Sequence, residues 1–250
     1  MPDLARILRA VADVHVPTRQ LDAWIFDVDG VLLASPHERA WREALQGITD
    51  PARLTTATYQ AVVAGRSRPD GARAALVALG VPDAEHAAPA YAAAKQRCLE
   101  RLIETEGVVA FPDALRLVRK LLARGWPLAA ASSSKNAQAM MRKVDLGRGT
   151  LFDAFAVTVC GRDLPRGKPD PGIFLLAAAE LGVDPTRCIV VEDAPAGITA
   201  GLAGGMATLG VARLNDADGL RAAGAHRVVA SLDEVIIPKR ATSTTYRPAA

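Results

Sequence analysis

Short apolar runs recur along the chain with helical patterns between them. The runs cover residues 23–26, 127–131, 155–159, 188–191, 207–211 and 227–229. Apolar runs of this length that do not alternate with polar residues are typical of strands buried on both faces. The helical patterns lie at residues 113–124, 171–181 and 195–203, the last two with Pro in the first turn. The alternation predicts an α/β fold with a doubly wound parallel sheet, which binds ligands at the carboxyl ends of its strands.

Residues 36–104 interrupt this alternation. They are rich in Ala, Arg, Leu and Glu at helical spacing and contain no convincing strand. We therefore predict a helical cap inserted after the first strand of a core formed by residues 21–35 and 105–237, with hinges near residues 34–35 and 105–107. Residues 1–20 are predicted to form a helical extension, and residues 238–250 a flexible tail.

Composition narrows the classes of partner. Half of the 250 residues are hydrophobic, enough for a sizeable core, and the formal charge is only +3 with no long basic run, so we expect no nucleic-acid partner. The cysteines, Cys98, Cys160 and Cys188, are far apart and are interpreted as buried thiols in a reducing compartment. No apolar stretch reaches the roughly 20 residues of a membrane helix. We expect a cytoplasmic monomer with no membrane association.

The segment Asp27-Val28-Asp29-Gly30 directly follows the first apolar run. Side chains two residues apart in a strand point to the same face, so the two carboxylates can converge on one small site. Gly30 permits a sharp turn where the strand stops. Read alone, this tetrapeptide is also compatible with an ordinary exposed turn, and its interpretation depends on the other strand ends.

Three further polar clusters follow predicted strands. They are Ser132-Ser133-Ser134-Lys135-Asn136, Gly167-Lys168-Pro169-Asp170-Pro171 and Glu192-Asp193-Ala194-Pro195-Ala196-Gly197. Each also has an ordinary explanation, as a helix cap or a solvated loop. Together they gather carboxylates, one lysine and one serine at one sheet edge, an inventory that suits Mg²⁺ and a phosphoryl group. In that arrangement Asp27 can attack phosphorus, and Asp29 can serve as general acid and base.

In order and spacing, these motifs resemble the four motifs of the haloacid dehalogenase (HAD) superfamily. The resemblance spans most of the chain after residue 20. The sequence is most similar to the beta-phosphoglucomutase subfamily because of His37-Glu38-Arg39-Ala40-Trp41, Gly65-Arg66-Ser67-Arg68 and the serine-rich loop. One departure is that the connection Leu33-Ala34-Ser35-Pro36, ahead of His37, is about two residues shorter than in mutases of this branch.

The resemblance implies a HAD-like Rossmannoid core and a phosphoryl-transfer enzyme. Asp27 would be the nucleophile and Asp29 the general acid and base. Mg²⁺ would be held by Asp27, the backbone carbonyl of Asp29 and Asp193, with Glu192 assisting. The substrate would be a small phosphorylated metabolite, and a sugar phosphate is expected.

The resemblance also implies the groups that bind substrate. Ser132 and Lys168 would hold the transferring phosphoryl group. In the cap, Arg68 would bind a second, non-transferring phosphate, and His37 would lie at the hinge near Asp29. The remaining residues expected to line the same channel are Ser134, Lys135 and Asn136.

Several readings stay open at this level. The sequence does not distinguish a phosphatase from a phosphohexomutase, which differ in whether the aspartyl-phosphate passes to water or to a bound hydroxyl. A dehalogenase is disfavoured, because dehalogenases of this superfamily do not keep the second acid of the first motif. A phosphonate hydrolase would need a cap lysine, such as Lys95, for a Schiff base. The third class is a catalytically idle domain that binds a phosphorylated ligand or a protein partner.

Overall fold

The computed structural model describes residues 20–214 and 216–237. Nearly all of the predicted N-terminal helical extension and the whole predicted tail lie outside the described residues. The described part contains a central sheet, helices on both of its faces, and a group of helices between the first strand and the rest of the sheet.

The central sheet has six parallel strands in the order β5-β4-β1-β6-β7-β8. Their ranges are β1 Ala23–Phe26, β4 Leu128–Ser132, β5 Val157–Cys160, β6 Cys188–Glu192, β7 Ala207–Val211 and β8 Arg227–Val229. The sheet confirms the predicted fold class. Because the chain extends the sheet from β1 first to one side and then to the other, the switch point lies at β1, where ligands bind in such folds.

Three predicted strands differ from the observed ones at their ends, and β6 extends one residue beyond its apolar run, to Glu192. The apolar pattern ended one strand at Ala131, but β4 continues to Ser132, because Ser132 pairs with Cys160 of β5. The apolar pattern also began a strand at Phe155, whereas β5 begins at Val157 after a 3-10 turn, Phe152–Ala154. Hydrophobicity locates the buried part of a strand and misses polar residues that continue its hydrogen bonding.

Helices cover both faces of the sheet. In chain order they are α5 Pro112–Ala123, α6 Ala137–Arg142, α7 Gly172–Leu181, α8 Pro195–Ala203 and α9 Ala217–Ala222. Apolar side chains of α5 and α6 pack with Trp24 and Phe26 on one face. Side chains of α7 and α8 pack with Ile25 on the other. Successive residues of β1 thus serve two different cores, which is why its sequence is apolar throughout.

Between β1 and α5 lie four helices, α1 His37–Glu43, α2 Thr56–Val62, α3 Arg68–Ala78 and α4 Ala84–Glu106. They enclose an apolar cluster of their own, in which Trp41 packs on Tyr91 with ring centroids 5.2 Å apart. The Tyr91 hydroxyl donates a hydrogen bond of 2.8 Å to the Trp41 carbonyl. This helical unit corresponds to the segment predicted as a cap, whose boundaries as a separate domain stay a prediction.

The two connections to the helical unit pair with each other, which the sequence analysis did not anticipate. Two-residue strands, β2 Leu33–Ala34 and β3 Val109–Ala110, form an antiparallel ladder. The backbone N–H of Phe111 also donates to the Leu32 carbonyl at 3.0 Å. Strands this short carry almost no periodicity, so the apolar pattern cannot reveal them. The ladder brings both connections to the core at one place.

Among the helices of residues 20–214 and 216–237, none has both the length and the apolar character needed to cross a bilayer. The charged residues of the long helix α4 are concentrated in its second half, from Lys95 to Glu106.

Replacing Tyr91 with Phe is expected to destabilise the helical unit. The ring packing stays, but the buried Trp41 carbonyl loses its donor, and a lost hydrogen bond of this kind costs about 1 kcal/mol. Urea unfolding followed by circular dichroism measures the change. Tyr59→Phe is the control, because its hydroxyl makes no comparable bond to the backbone within the described residues. Equal stability of Tyr91→Phe and the unmodified protein would contradict the assignment.

Candidate active site

The carboxylate of Asp27 lies at the end of β1 in a buried ion pair. The Lys168 ammonium contacts Asp27 Oδ1 at 2.5 Å and Glu192 Oε1 at 2.6 Å. All three side chains are almost completely buried. Lys168 comes from the loop between β5 and α7, so three separate parts of the chain meet at one ammonium group. The sequence analysis placed these residues at one sheet edge, and the structure brings them into direct contact.

Glu192, the last residue of β6, uses both carboxylate oxygens within the protein. While Oε1 contacts Lys168, Oε2 accepts hydrogen bonds from the backbone N–H groups of Asp193 and Ala194 at 2.9 and 3.0 Å. A Cβ at Gly197, in α8, would lie 1.8 Å from Oε1, so only glycine allows this approach. Both carboxylate oxygens of Glu192 therefore make contacts within the protein, and its expected assistance in metal binding stays a prediction.

Burial and crowding shift the ionisation of these groups. Burial raises the pKa of Asp27, and Lys168 opposes the shift. The pKa of Asp193 is also well above its usual value, because of burial and then the nearby Glu192 and Asp27 carboxylates. Burial disfavours the Lys168 ammonium, but Asp27 and Glu192 outweigh it and raise the lysine pKa. The site therefore holds more carboxylates than one ammonium can neutralise, and an added cation would favour their ionised forms.

Asp193 lies directly across from the turn at Gly30. Gly30 has φ +88°, and a Cβ there would come within 1.9 Å of Asp193 Oδ2. Glycine thus lets the loop after β1 approach the loop after β6. In residues 20–214 and 216–237, no three His, Cys, Asp or Glu side chains form a metal-binding group. Two carboxylates, Asp27 and Asp193, with a backbone carbonyl and waters would still suit Mg²⁺, which needs few protein side chains.

Asp29 contacts a second group of residues at the strand ends. The Ser132 hydroxyl lies 3.2 Å from Asp29 Oδ2 and accepts a hydrogen bond from the backbone N–H of Ser134 at 3.0 Å. Because Ser132 ends β4, the neighbour of β1, the sheet itself sets this distance. Asp27 and Asp29 thus have different partners, an ammonium for the first and a hydroxyl for the second.

His37 connects Asp29 to the helical unit. Its Nε2 lies 3.4 Å from Asp29 Oδ1, and its Nδ1 lies 3.2 Å from the Lys95 ammonium. Because an ammonium only donates, Nδ1 accepts and Nε2 carries the proton, but neither Nε2 nor Asp29 Oδ1 has a hydrogen-bond partner among the described residues. Burial, and then the charge of Lys95, lower the pKa of His37 to about 4. The shorter connection ahead of His37 therefore still brings its ring to Asp29.

Arg68, at the start of α3, donates to the amide oxygen of Gln96 in α4. Gln96 in turn forms a reciprocal amide pair with Asn136, with nitrogen to oxygen distances of 3.2 and 3.4 Å. No carboxylate pairs with Arg68 among the described residues, so its charge faces a neutral partner. The network joins the helical unit to the loop after β4.

The remaining predicted substrate residues lie at the rim. Ser134 accepts the backbone N–H of Asn136 at 3.2 Å. Lys135 is largely exposed and pairs with Asp163 at 2.8 Å. A cavity of about 300 Å³ connects these groups to the centre, and most of the predicted site residues line it: Asp27, Asp29, His37, Arg68, Ser132, Ser134, Lys135, Asn136 and Asp193. Lys168 and Glu192 support the cavity from behind Asp27.

The sequence did not identify Gln96 as a site residue, and it indicated Lys95 only as a candidate for a Schiff base. Lys95 lies 5.1 Å from the centre of the Trp41 ring and is almost fully buried. A signal was present, because Lys95 occupies a buried helical position in register with Tyr91 and Leu99. A lysine on the apolar face of a helix is unusual enough to mark a functional position. Gln96 carries no such mark.

Comparisons with known proteins agree with this geometry. A family model described as haloacid dehalogenase-like hydrolase matches residues 21–205. The chain is 33% identical over 239 residues to a beta-phosphoglucomutase of Mycobacterium tuberculosis, covering 86% of this chain and 91% of the relative. It is 32% identical over 236 residues to hexitol phosphatase A of Escherichia coli, covering 87% and 94%.

A solved structure gives the same result. The crystal structure of an archaeal beta-phosphoglucomutase from a hyperthermophilic Pyrococcus superposes with a TM-score of 0.68 at 30% identity, covering 86% of this chain and 95% of that one. The polar strand ends lie within residues 21–205, which the family model matches. The chain belongs to the haloacid dehalogenase-like hydrolase family.

Proposed function

We propose that this protein is a Mg²⁺-dependent phosphoryl-transfer enzyme that acts on a small sugar phosphate through an aspartyl-phosphate intermediate on Asp27. The main support is the buried contact of Asp27 with Lys168 beside a polar cavity. The similarity to a beta-phosphoglucomutase and a hexitol phosphatase supports the substrate class.

Asp27 has the surroundings that a carboxylate nucleophile requires. Oδ1 is bound by Lys168, which fixes the side chain and leaves Oδ2 as the attacking oxygen. Attack on phosphorus forms the Asp27–phosphorus bond and breaks the bond to the leaving oxygen, which needs a proton. The Lys168 ammonium offsets negative charge where the phosphoryl group would arrive.

Asp27, the backbone carbonyl of Asp29 and Asp193 would hold Mg²⁺, as the family resemblance implies. Bound there, the cation would reduce the repulsion between the carboxylate and an incoming phosphoryl dianion. Several ionisable carboxyl groups surround a single ammonium, and burial together with this crowding raises the pKa values of Asp27 and Asp193. This excess of acidic groups supports a cation-binding site here. Glu192 would keep Lys168 and the start of α8 in place.

Asp29 would protonate the leaving oxygen and then remove the proton from water or from an acceptor hydroxyl. His37 Nε2 lies 3.4 Å from one oxygen of Asp29, and the Ser132 hydroxyl donates to the other at 3.2 Å. Together the two groups would orient the carboxyl group. Since His37 is in turn fixed by Lys95, the position of Asp29 depends on a residue of the helical unit. Closure of that unit on the core would therefore complete the proton-transfer group.

The Arg68 site supports a substrate with a second anionic group. The Arg68 guanidinium is partly buried and its partner is a neutral amide. No carboxylate among the described residues neutralises its positive charge, so it can bind an anionic group of a ligand. A mutase that passes through a bisphosphorylated sugar would use such a site in every turnover, and a phosphatase that acts on sugar monophosphates would not. We therefore place the mutase reading ahead of the phosphatase reading.

Phosphonate hydrolysis is the second candidate, and Lys95 is the observation that favours it. Burial lowers the pKa of this lysine to about 8, and a Schiff base requires a neutral amine beside the reacting carbon. Borohydride reduction in the presence of a phosphonoaldehyde would add mass to Lys95 if this reading is correct. Absence of the adduct, with turnover of sugar phosphates, would reject it.

Replacing Asp27 with Asn is expected to lower turnover by at least about 10³-fold, because the amide is not a nucleophile. Phosphate release from a panel of sugar phosphates with Mg²⁺ measures the hydrolase activity. A coupled assay for conversion of beta-glucose 1-phosphate to glucose 6-phosphate measures the mutase activity.

The control is Asp218→Asn, the same chemical change at a fully exposed side chain. It should leave both activities unchanged. If the unmodified protein turns over no phosphoester, the idle-domain reading would replace the proposal. If Asp27→Asn retains phosphoester turnover, Asp27 is not the nucleophile.

Arg68→Ala is expected to raise KM about tenfold for substrates with a second phosphate and to change KM little for those without one, because a charge-assisted contact is lost only in the first class. Gln96→Glu should act in the same direction, since it places a carboxylate against the guanidinium and neutralises it. Arg73→Ala, in the same helix but paired with Glu85 at the surface, is the control. An equal effect of Arg68→Ala on both substrate classes would reject the assignment.

The pH dependence of kcat/KM should show the titration of Lys95. Its pKa of about 8 in the folded protein predicts that kcat/KM falls as pH rises through that value, because Lys95 loses its charge beside His37. Unfolding would not explain the fall. The unfolded chain binds this proton up to the ordinary lysine pKa of 10.5, so titration of Lys95 increases stability between these values.

Lys95→Gln removes the titrating group, so its kcat/KM should be lower and should lack the decline near pH 8. Lys120→Gln, at an exposed position of α5, should keep the decline. A decline that persists unchanged in Lys95→Gln would assign it to another group.

A further inference from the structure

Arg213 follows β7 and lies partly buried against the turn after Asp29, although no motif marks it. Its Nη2 donates to the Val31 carbonyl at 3.1 Å, and its Nε lies 3.4 Å from the Gly30 carbonyl. Its Nη1 donates to Asp113 Oδ2 at 2.7 Å. One guanidinium thus holds two successive backbone carbonyls of the catalytic loop and one carboxylate.

Asp113 is a fixed anchor for this guanidinium. It lies in the first turn of α5, and its Oδ2 also accepts the backbone N–H of Leu232 at 2.8 Å and the Ser231 hydroxyl at 3.0 Å. Burial opposes its charge, but these hydrogen bonds and Arg213 outweigh it and lower its pKa to about 2. The carboxylate is therefore ionised throughout the working pH range and cannot move without breaking several contacts.

The peptide units beside Asp29 are consequently held from both sides. Gly30 N–H donates to the Leu33 carbonyl at 2.8 Å. Because the peptide bond is planar and trans, this bond directs the Asp29 carbonyl away from Leu33. Arg213 fixes the next peptide unit through the Gly30 carbonyl. Gly30 has no Cβ and its backbone is otherwise free to rotate, so these contacts decide which way the Asp29 carbonyl points.

We propose that Arg213 is a positioning residue that sets the direction of the Asp29 backbone carbonyl, and through it the affinity of the site for Mg²⁺, by clamping the Gly30–Val31 turn against Asp113. The inference rests on the proposed function, since it concerns the carbonyl expected to bind the metal. Residues that orient metal ligands from behind typically contribute about 10-fold to 100-fold to metal affinity.

Arg213 also lies where the connections to the helical unit reach the core. Its guanidinium carbon is 3.9 Å from the centre of the Phe111 ring, and Phe111 N–H bonds the Leu32 carbonyl. The clamp therefore includes the segment after β3 as well as the loop after β1. A lysine cannot reproduce it, because a single ammonium on a flexible stem cannot bond two carbonyls and a carboxylate in this planar arrangement.

The chain offers a matched control for the expected loss of stability. Arg116 of α5 pairs with Asp233 in the 3-10 turn Leu232–Glu234, with two contacts of 2.6 and 2.9 Å. This bidentate pair joins the same helix to the same C-terminal segment as Asp113 does, but it contacts neither Gly30 nor Val31. Arg116→Lys therefore weakens the same junction without touching the catalytic loop.

Mg²⁺ binding to the full chain without substrate, measured by titration calorimetry, tests the proposal. Arg213→Lys should raise the Mg²⁺ Kd about tenfold, and Asp113→Asn should raise it in the same direction. Arg116→Lys should leave it within twofold. The Mg²⁺ concentration for half-maximal activity should follow the same order, with kcat recovered at saturating Mg²⁺, a split that general destabilisation would not produce.

The outcomes separate the two proposals. If the unmodified protein binds no Mg²⁺, the proposed function fails. If it binds Mg²⁺ and Arg213→Lys binds equally well, the role of Arg213 fails alone. Thermal unfolding of each variant shows whether it is folded. Should Arg213→Lys not fold, Asp113→Asn decides, because it leaves the arginine in place and removes the negative charge that anchors it.

Discussion

The ammonium of Lys168, buried between the carboxylates of Asp27 and Glu192, is the interaction on which the rest of the site depends. Removing one partner from such a buried group typically costs about 3–5 kcal/mol, because the remaining charges lose both water and their counterion. The three residues come from parts of the chain far apart in sequence, so the pairing also fixes those parts to one another. A buried ion pair is weak evidence for stability, and the proposed function gives this one a role in chemistry.

The sequence predicted the elements that leave a pattern of apolar residues along the chain. The parallel strands were recognisable because strands covered on both faces must be apolar throughout, as Ile25 and Phe26 show by packing into different cores. The same logic placed the polar strand ends at one edge. It missed β2 and β3, because two-residue strands arise from tertiary hydrogen bonds and leave no pattern in the chain.

The centre of the site was predictable for a similar reason, since four motifs follow four strands of one sheet. The supporting residues were not. Arg213 and Gln96 act through bonds to backbone carbonyls or to a neutral amide, and no residue type or spacing signals such contacts. For Glu192 the sequence suggests an acid that assists metal binding beside Asp193, and only the structure reveals its contacts with Lys168 and with the start of α8.

The site is divided between the core, which carries the groups proposed for phosphoryl transfer, and the helical unit, which carries groups proposed to bind the substrate. Asp27, the proposed nucleophile, and the Lys168 ammonium belong to the core, whereas His37, Lys95 and Arg68 belong to the helical unit. Any motion that lifts this unit would leave Asp27 intact but would remove the ring that orients Asp29 and the guanidinium that awaits a second anion. A substrate able to bind Arg68 would favour the arrangement in which Asp29 is also correctly held. Binding energy from a remote part of the substrate would then improve the chemical step itself, and water, which cannot make that contact, would be a poorer acceptor.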